Sequence, residues 1–230
     1  MSTMVTVHGA GDGGWAWTPV AEHLRRAGHR VFPCTLTGYG DRRHLASPTV
    51  TLETHVLDVI NLIQYEDLGA VWLLGHSYGG IVITAVAERI PERLAHLVYV
   101  DALVPANGER ARDVPSSGEA VDLIEQQVGR DAWLWPRNAA LPERYGPVLA
   151  KPFDEPVTVS SPAAARLPRT YVAYTERDRT NPRYAGVAAS AARVAEWGWP
   201  IRALPYDHNG HQSHPAEVAT ILDQLMAGAD

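Results

Sequence analysis

Six short runs of this chain are apolar at nearly every position: "MVTVHG", "HRVFPCTL", "AVWLLG", "AHLVYVD", "RTYVAYT" and "IRALPY". Each has the length of a strand. A strand with one wet face alternates apolar and polar residues, whereas a parallel strand covered on both faces reads as an unbroken apolar run. Helical patterns separate the runs. "WTPVAEHLRRAG" carries Pro19 near its start and Gly28 at its end. In "TLETHVLDVINLIQYEDLG", Leu52, Val56, Val59, Ile60 and Ile63 recur at helical spacing. "GGIVITAVAERIPERL" stops near Pro91, because proline cannot continue the hydrogen-bond ladder. Strands alternating with helices imply an α/β fold: a doubly wound, mostly parallel sheet of about six strands flanked by helices.

The alternation breaks between Val104 and about Pro168. That stretch is rich in proline, holds Trp133, Trp135 and Phe153, and contains one convincing helix, "SSGEAVDLIEQQVG". It is too long for a plain loop and too aromatic for a disordered tract. The sequence therefore divides into a core of residues 1–103 and 168–230 and an inserted cap of residues 104–167. Trp133 and Trp135 either pack the lid or line an apolar substrate pocket.

A net charge of −6 argues against a nucleic-acid partner. Of the 20 basic residues only Lys151 is a lysine, which with abundant alanine suggests a bacterial source. The single cysteine, Cys34, permits no internal disulfide and makes a reducing cytoplasm the default. Neither a secretory leader nor a membrane span is apparent. A small-molecule partner is expected, and a homodimer is left open.

The chemistry concentrates at "LLGHSYGG", residues 73–80, where an apolar strand turns at once into a helix. Gly75, Ser77 and Gly79 fit G-x-S-x-G, in which a very tight turn projects the serine into the crevice at the C-terminal end of the sheet. A serine hydroxyl needs a base to take its proton and an acid to orient that base. "YDHNGHQSHP" after the last strand offers His208, His211 and His214, and "YVAYTERDRTNP" offers Asp178. The chain order Ser77, Asp178, His208 follows the α/β-hydrolase order, with Asp101 and Glu176 as rival acids. The glycine-rich turn in "VHGAGDGGWAW" and the helix start at Tyr78 offer backbone N–H groups to a developing oxyanion, from Ala10 and Tyr78. His8 reads as structural and His76 as packing. Histidines at 208, 211 and 214 lack zinc spacing and have no completing cysteine or carboxylate cluster, so no metal is expected.

Together "VHGAGDGGWAW", "LTGYGDRRHL", "THVLDVINLI", "LLGHSYGGIVITAVAERIPERLAHLVYVDALVP", "YTERDR" and "DHNGHQSHP" resemble the small α/β-hydrolases. The branch is similar to bacterial carboxylesterases of the pyrethroid-hydrolase kind, related to plant methylesterases and hydroxynitrile lyases. The resemblance implies Ser77 as nucleophile, Asp178 as acid, His208 as base, and Ala10 and Tyr78 as oxyanion amides. The related lyases place a threonine in the HG turn and a lysine after the catalytic histidine. This chain has Gly9 and Asn209 there, so hydrolysis is expected over cyanide release, and both residues are candidate substrate contacts. The expectation is a cofactor-free serine esterase that cleaves a mid-sized apolar ester through an acyl-enzyme. The alternatives are a lyase or tailoring enzyme of small-molecule biosynthesis, and a ligand receptor on the same fold.

Overall fold

The computed structural model describes residues 1–115, 117–178 and 180–228. Strands β1 (Thr3–Val7), β2 (Arg30–Cys34), β3 (Val71–His76) and β4 (Leu94–Val100) form in the first half of the chain. A two-residue antiparallel pair, β5 (Leu134–Trp135) and β6 (Val148–Leu149), lies apart from them. Strands β7 (Arg169–Tyr174) and β8 (Ile201–Leu204) then complete a six-stranded parallel sheet in the order β2-β1-β3-β4-β7-β8. Pro33 sits in β2, an edge strand, where its missing N–H breaks no central ladder.

Helices cover both faces. On one face lie α2 (Leu52–Tyr65), α3 (Gly79–Arg89) and α6 (Ala185–Glu196); on the other lie α1 (Thr18–Arg26) and α8 (Pro215–Ala227). The unbroken apolar runs have a direct cause in this layering. Val5, Leu73, Tyr99 and Tyr171 face the first layer, while Met4, Trp72, Val98 and Val172 face the second. Period-two side chains thus serve two cores. Thr51 caps helix α2: its hydroxyl accepts from the Thr54 amide in a capping box.

Between β4 and β7 the chain leaves the sheet for α4 (Ser117–Val128), the β5–β6 pair and the single turn α5 (Pro162–Ala165). Val121, Ile124, Trp135 and Ala150 make a small core of their own there. Hydrogen bonds tie this excursion down: Gly146 N–H donates to Gly11 O (2.7 Å), and Leu52 N–H to the Glu155 carboxylate (2.7 Å). Among the described residues no helix is long and apolar enough to cross a membrane.

Candidate active site

Ser77 stands between β3 and α3 with φ of +53°, a left-handed conformation that a non-glycine residue holds only under local constraint. The constraint is close packing. A Cβ on Gly75 would lie 2.5 Å from Gly79 O, and one on Gly79 would lie 2.7 Å from Val7 O. Glycine at both positions lets strand, helix and the turn after β1 meet. Helix α3 carries Gly79 and Gly80 as its first residues and leaves the Tyr78 N–H at its mouth. Across from it is Ala10 in the turn after β1. Neither amide donates to a protein acceptor among the described residues. Both residues line one cavity of about 160 Å³ together with Gly9, Ser77 and His208.

Two buried histidines hold these loops. His8 donates from Nδ1 to Gly9 O (2.7 Å) and accepts the Leu36 N–H at Nε2 (3.0 Å). His55 donates from Nε2 to Thr37 O (3.0 Å), so its Nδ1 accepts the Tyr78 hydroxyl (2.9 Å). Burial lowers the pKa of each to about 4 and keeps both rings neutral. Phe153 stacks on the Tyr78 ring at 4.9 Å.

The carboxylate that His208 meets is not the expected Asp178. His208, in the loop after β8, meets Asp101 through Nδ1 and Oδ2 at 2.7 Å. Asp101 follows the last residue of β4, has φ of +41° and is fully buried. Its other oxygen accepts the Arg177 guanidinium (2.6 Å) and the Tyr174 N–H (3.2 Å), which compensate the buried charge. Asp178 does not reach the site. It lies four residues beyond the end of β7, exposed, with one oxygen closed on the Thr180 amide (2.9 Å) and hydroxyl (2.7 Å). An acid directly at a strand end is carried by the sheet, whereas one further out follows its loop. The available signal was the charged residue ending the buried run "AHLVYVD", with Arg177 in "TERDR" as its counter-charge.

Residues 4–221 match the alpha/beta hydrolase family. The chain belongs to that family. A carbendazim hydrolyzing esterase of Nocardioides sp. is 53% identical over 109 residues, which cover 47% of this chain and 45% of that one. The match thus spans less than half of that relative. An extracellular alpha/beta-hydrolase from a Paenibacillus species superposes with a TM-score of 0.80 at 22% identity, covering 97% of this chain and 98% of the other. A pyrethroid hydrolase from Sphingobium faniae JZ-2 superposes with a TM-score of 0.76 at 23% identity over 97% and 96%. At these identities the superpositions show the shared fold.

In this α/β-hydrolase much of the cavity wall is apolar, with Leu103, Val121, Ile124, Trp135, Phe153 and Val187 contributing, while Asn138, Arg183 and Tyr184 add polar groups. Of the two cap tryptophans only Trp135 lines it; Trp133 is 41% exposed and faces elsewhere, which corrects its expected place in the pocket. Gly9 and Asn209 both line the cavity. Sequence reasoning passed over Tyr184, whose ring lies 4.6 Å from that of His208. It also treated His76 as packing alone, whereas His76 donates from Nε2 to the His208 carbonyl at 2.9 Å. The Ser77 hydroxyl has no protein hydrogen-bond partner among the described residues, and Ser77 shares one cavity with His208.

Proposed function

We propose that the protein is a serine esterase that cleaves a carboxylic ester of a mid-sized apolar molecule through an acyl-enzyme. The observation that carries the reading is the Asp101–His208 pair at 2.7 Å, opening into the cavity that also holds the strained Ser77. His208 Nε2 takes the Ser77 proton as Oγ attacks the ester carbonyl. Asp101 holds the imidazole in the required tautomer and stabilises the imidazolium. The Ala10 and Tyr78 amides receive the oxyanion. The imidazolium then protonates the leaving alcohol, and water activated by His208 releases the acid.

The apolar wall supports an apolar acyl or alcohol group over a charged one. Residues 104–167 act as the cap that supplies that wall, through Val121, Trp135 and Phe153. The partial match to a carbendazim hydrolyzing esterase supports small-molecule ester cleavage. Gly9 and Asn209 supply neither a hydroxyl nor a cation at the two positions where the related lyases carry them. Turnover of an aryl acetate tests the proposal. The wild-type protein is expected to hydrolyse it, and Ser77→Ala to lose on the order of 10³-fold or more. Inertness of the folded wild type toward a panel of aryl esters, or cyanide release from mandelonitrile instead, overturns the proposal.

A further inference from the structure

Three buried side chains converge behind His208 from three separate elements. Asp12 lies in the turn after β1, His76 ends β3, and His211 sits in the short turn α7 (Gly210–Ser213). They are 2%, 1% and 0% exposed, and one ligating atom from each lies within 4.8 Å of the others. Asp12 Oδ1, His76 Nδ1 and His211 Nδ1 have no hydrogen-bond partner among the described residues. Buried polar atoms are almost always paired, so three orphans in one place call for an occupant.

The hydrogen bonds around the cluster show which atoms it offers a ligand. His76 must carry its proton on Nε2, because that nitrogen faces the His208 carbonyl. Its Nδ1 therefore presents a lone pair, 4.0 Å from Asp12 Oδ2. That lone pair and the Asp12 carboxyl are two ligating groups that a cation between them would join. His211 Nε2 lies 3.4 Å from the Gln212 side-chain nitrogen. Metal binding at His211 Nδ1 requires the ring proton on Nε2, and a half-turn of the Gln212 amide, which exchanges its nitrogen for its oxygen, supplies the acceptor for that proton.

We propose that Asp12, His76 and His211 form a binding site for a divalent transition-metal ion of the zinc class. Two imidazoles and one carboxylate suit zinc or its neighbours better than magnesium or calcium, which prefer all-oxygen shells. An ion at the centre of three atoms so spaced needs each to move by less than about 1 Å to reach bonds of about 2.0–2.2 Å. Asp12 and His76 line the Ser77 cavity, which provides the entry path and a position for a fourth ligand from solvent. The run at 207–215 concealed this site from sequence reasoning, because only one of its histidines takes part.

The test uses metal-stripped Ser77→Ala protein titrated with Co²⁺, which makes the result independent of ester hydrolysis. One equivalent per chain is expected to bind, with visible absorption of a nitrogen- and oxygen-ligated ion, and Zn²⁺ is expected to displace it. Asp12→Asn and His211→Phe are each expected to weaken binding on the order of 100-fold, while His214→Ala, at an exposed neighbour, leaves it unchanged. Absence of saturable absorption overturns the proposal, as does binding lost in His214→Ala but kept in Asp12→Asn. Should the buried variants fail to fold, X-ray absorption of Zn²⁺ bound to otherwise unaltered protein decides: two imidazoles in the first shell are expected, and a shell without imidazole contradicts the site.

Discussion

At the scale of the residue, the two aspartates differ in what their carboxylates already hold. Asp101 divides its oxygens between His208 and the Arg177–Tyr174 donors, whereas Asp178 is closed on Thr180. Asp101→Asn keeps the shape but leaves His208 Nδ1 facing an amide, which favours the wrong tautomer. The expected loss in kcat is roughly 10²–10⁴-fold, in a protein whose circular dichroism is unchanged. Asp178→Asn alters an exposed turn, and its kcat is expected to stay within about threefold of wild type. The opposite ranking of the two variants contradicts the assignment. The placing of Ser77 and His208 at one cavity was legible because each lies in a short motif whose local geometry is set by neighbours in sequence. The carboxylate that meets His208 was not, because the two are 107 positions apart and the sequence carries candidate carboxylates after both β4 and β7.

At the scale of the element, the strand–turn–helix unit of β3 and α3 depends on missing side chains. Gly75 and Gly69 make a controlled pair. A methyl group on Gly75 meets the Gly79 carbonyl at 2.5 Å, while Gly69 has nothing within 4 Å. Gly75→Ala is expected to destabilise by about 3 kcal/mol, since backbone on both sides must move. Gly69→Ala is expected to stay within about 0.5 kcal/mol of wild type in urea unfolding. Equal stabilities for the two variants contradict the packing argument. The six sheet strands were legible because each is buried on both faces and reads as one apolar run. The β5–β6 pair was not, since two residues per strand carry no period; Trp135 lies in β5 and is buried, whereas Trp133 precedes the strand and is exposed.

At the scale of the whole molecule, burial of neutral imidazoles sets a pH limit. His8 and His55 have pKa values near 4 in the folded chain, against 6.5 for an exposed ring. Above pH 6.5 neither state is protonated and they make no difference. As pH falls from 6.5 to 4 the unfolded chain takes up protons that the folded chain refuses, so stability falls. Below 4 both states are charged and the loss levels off. Each ring contributes up to about 1.4 kcal/mol per pH unit within that window. The unfolding midpoint in urea is therefore expected to drop between pH 6.5 and 4.5, and the drop to shrink in His55→Gln, whose amide side chain does not titrate. A midpoint that is flat across the window contradicts this.

The central claim is that this fold delivers one activated serine to one cavity. A fluorophosphonate reports that directly, because it reacts with a hydroxyl made nucleophilic by its base and becomes a covalent mark on it. Peptide mapping after labelling is expected to find a single phosphonylated residue, Ser77, with labelling abolished in Ser77→Ala and slowed in Asp101→Asn. Labelling at another residue, or a folded wild-type protein that takes up no label, contradicts the account.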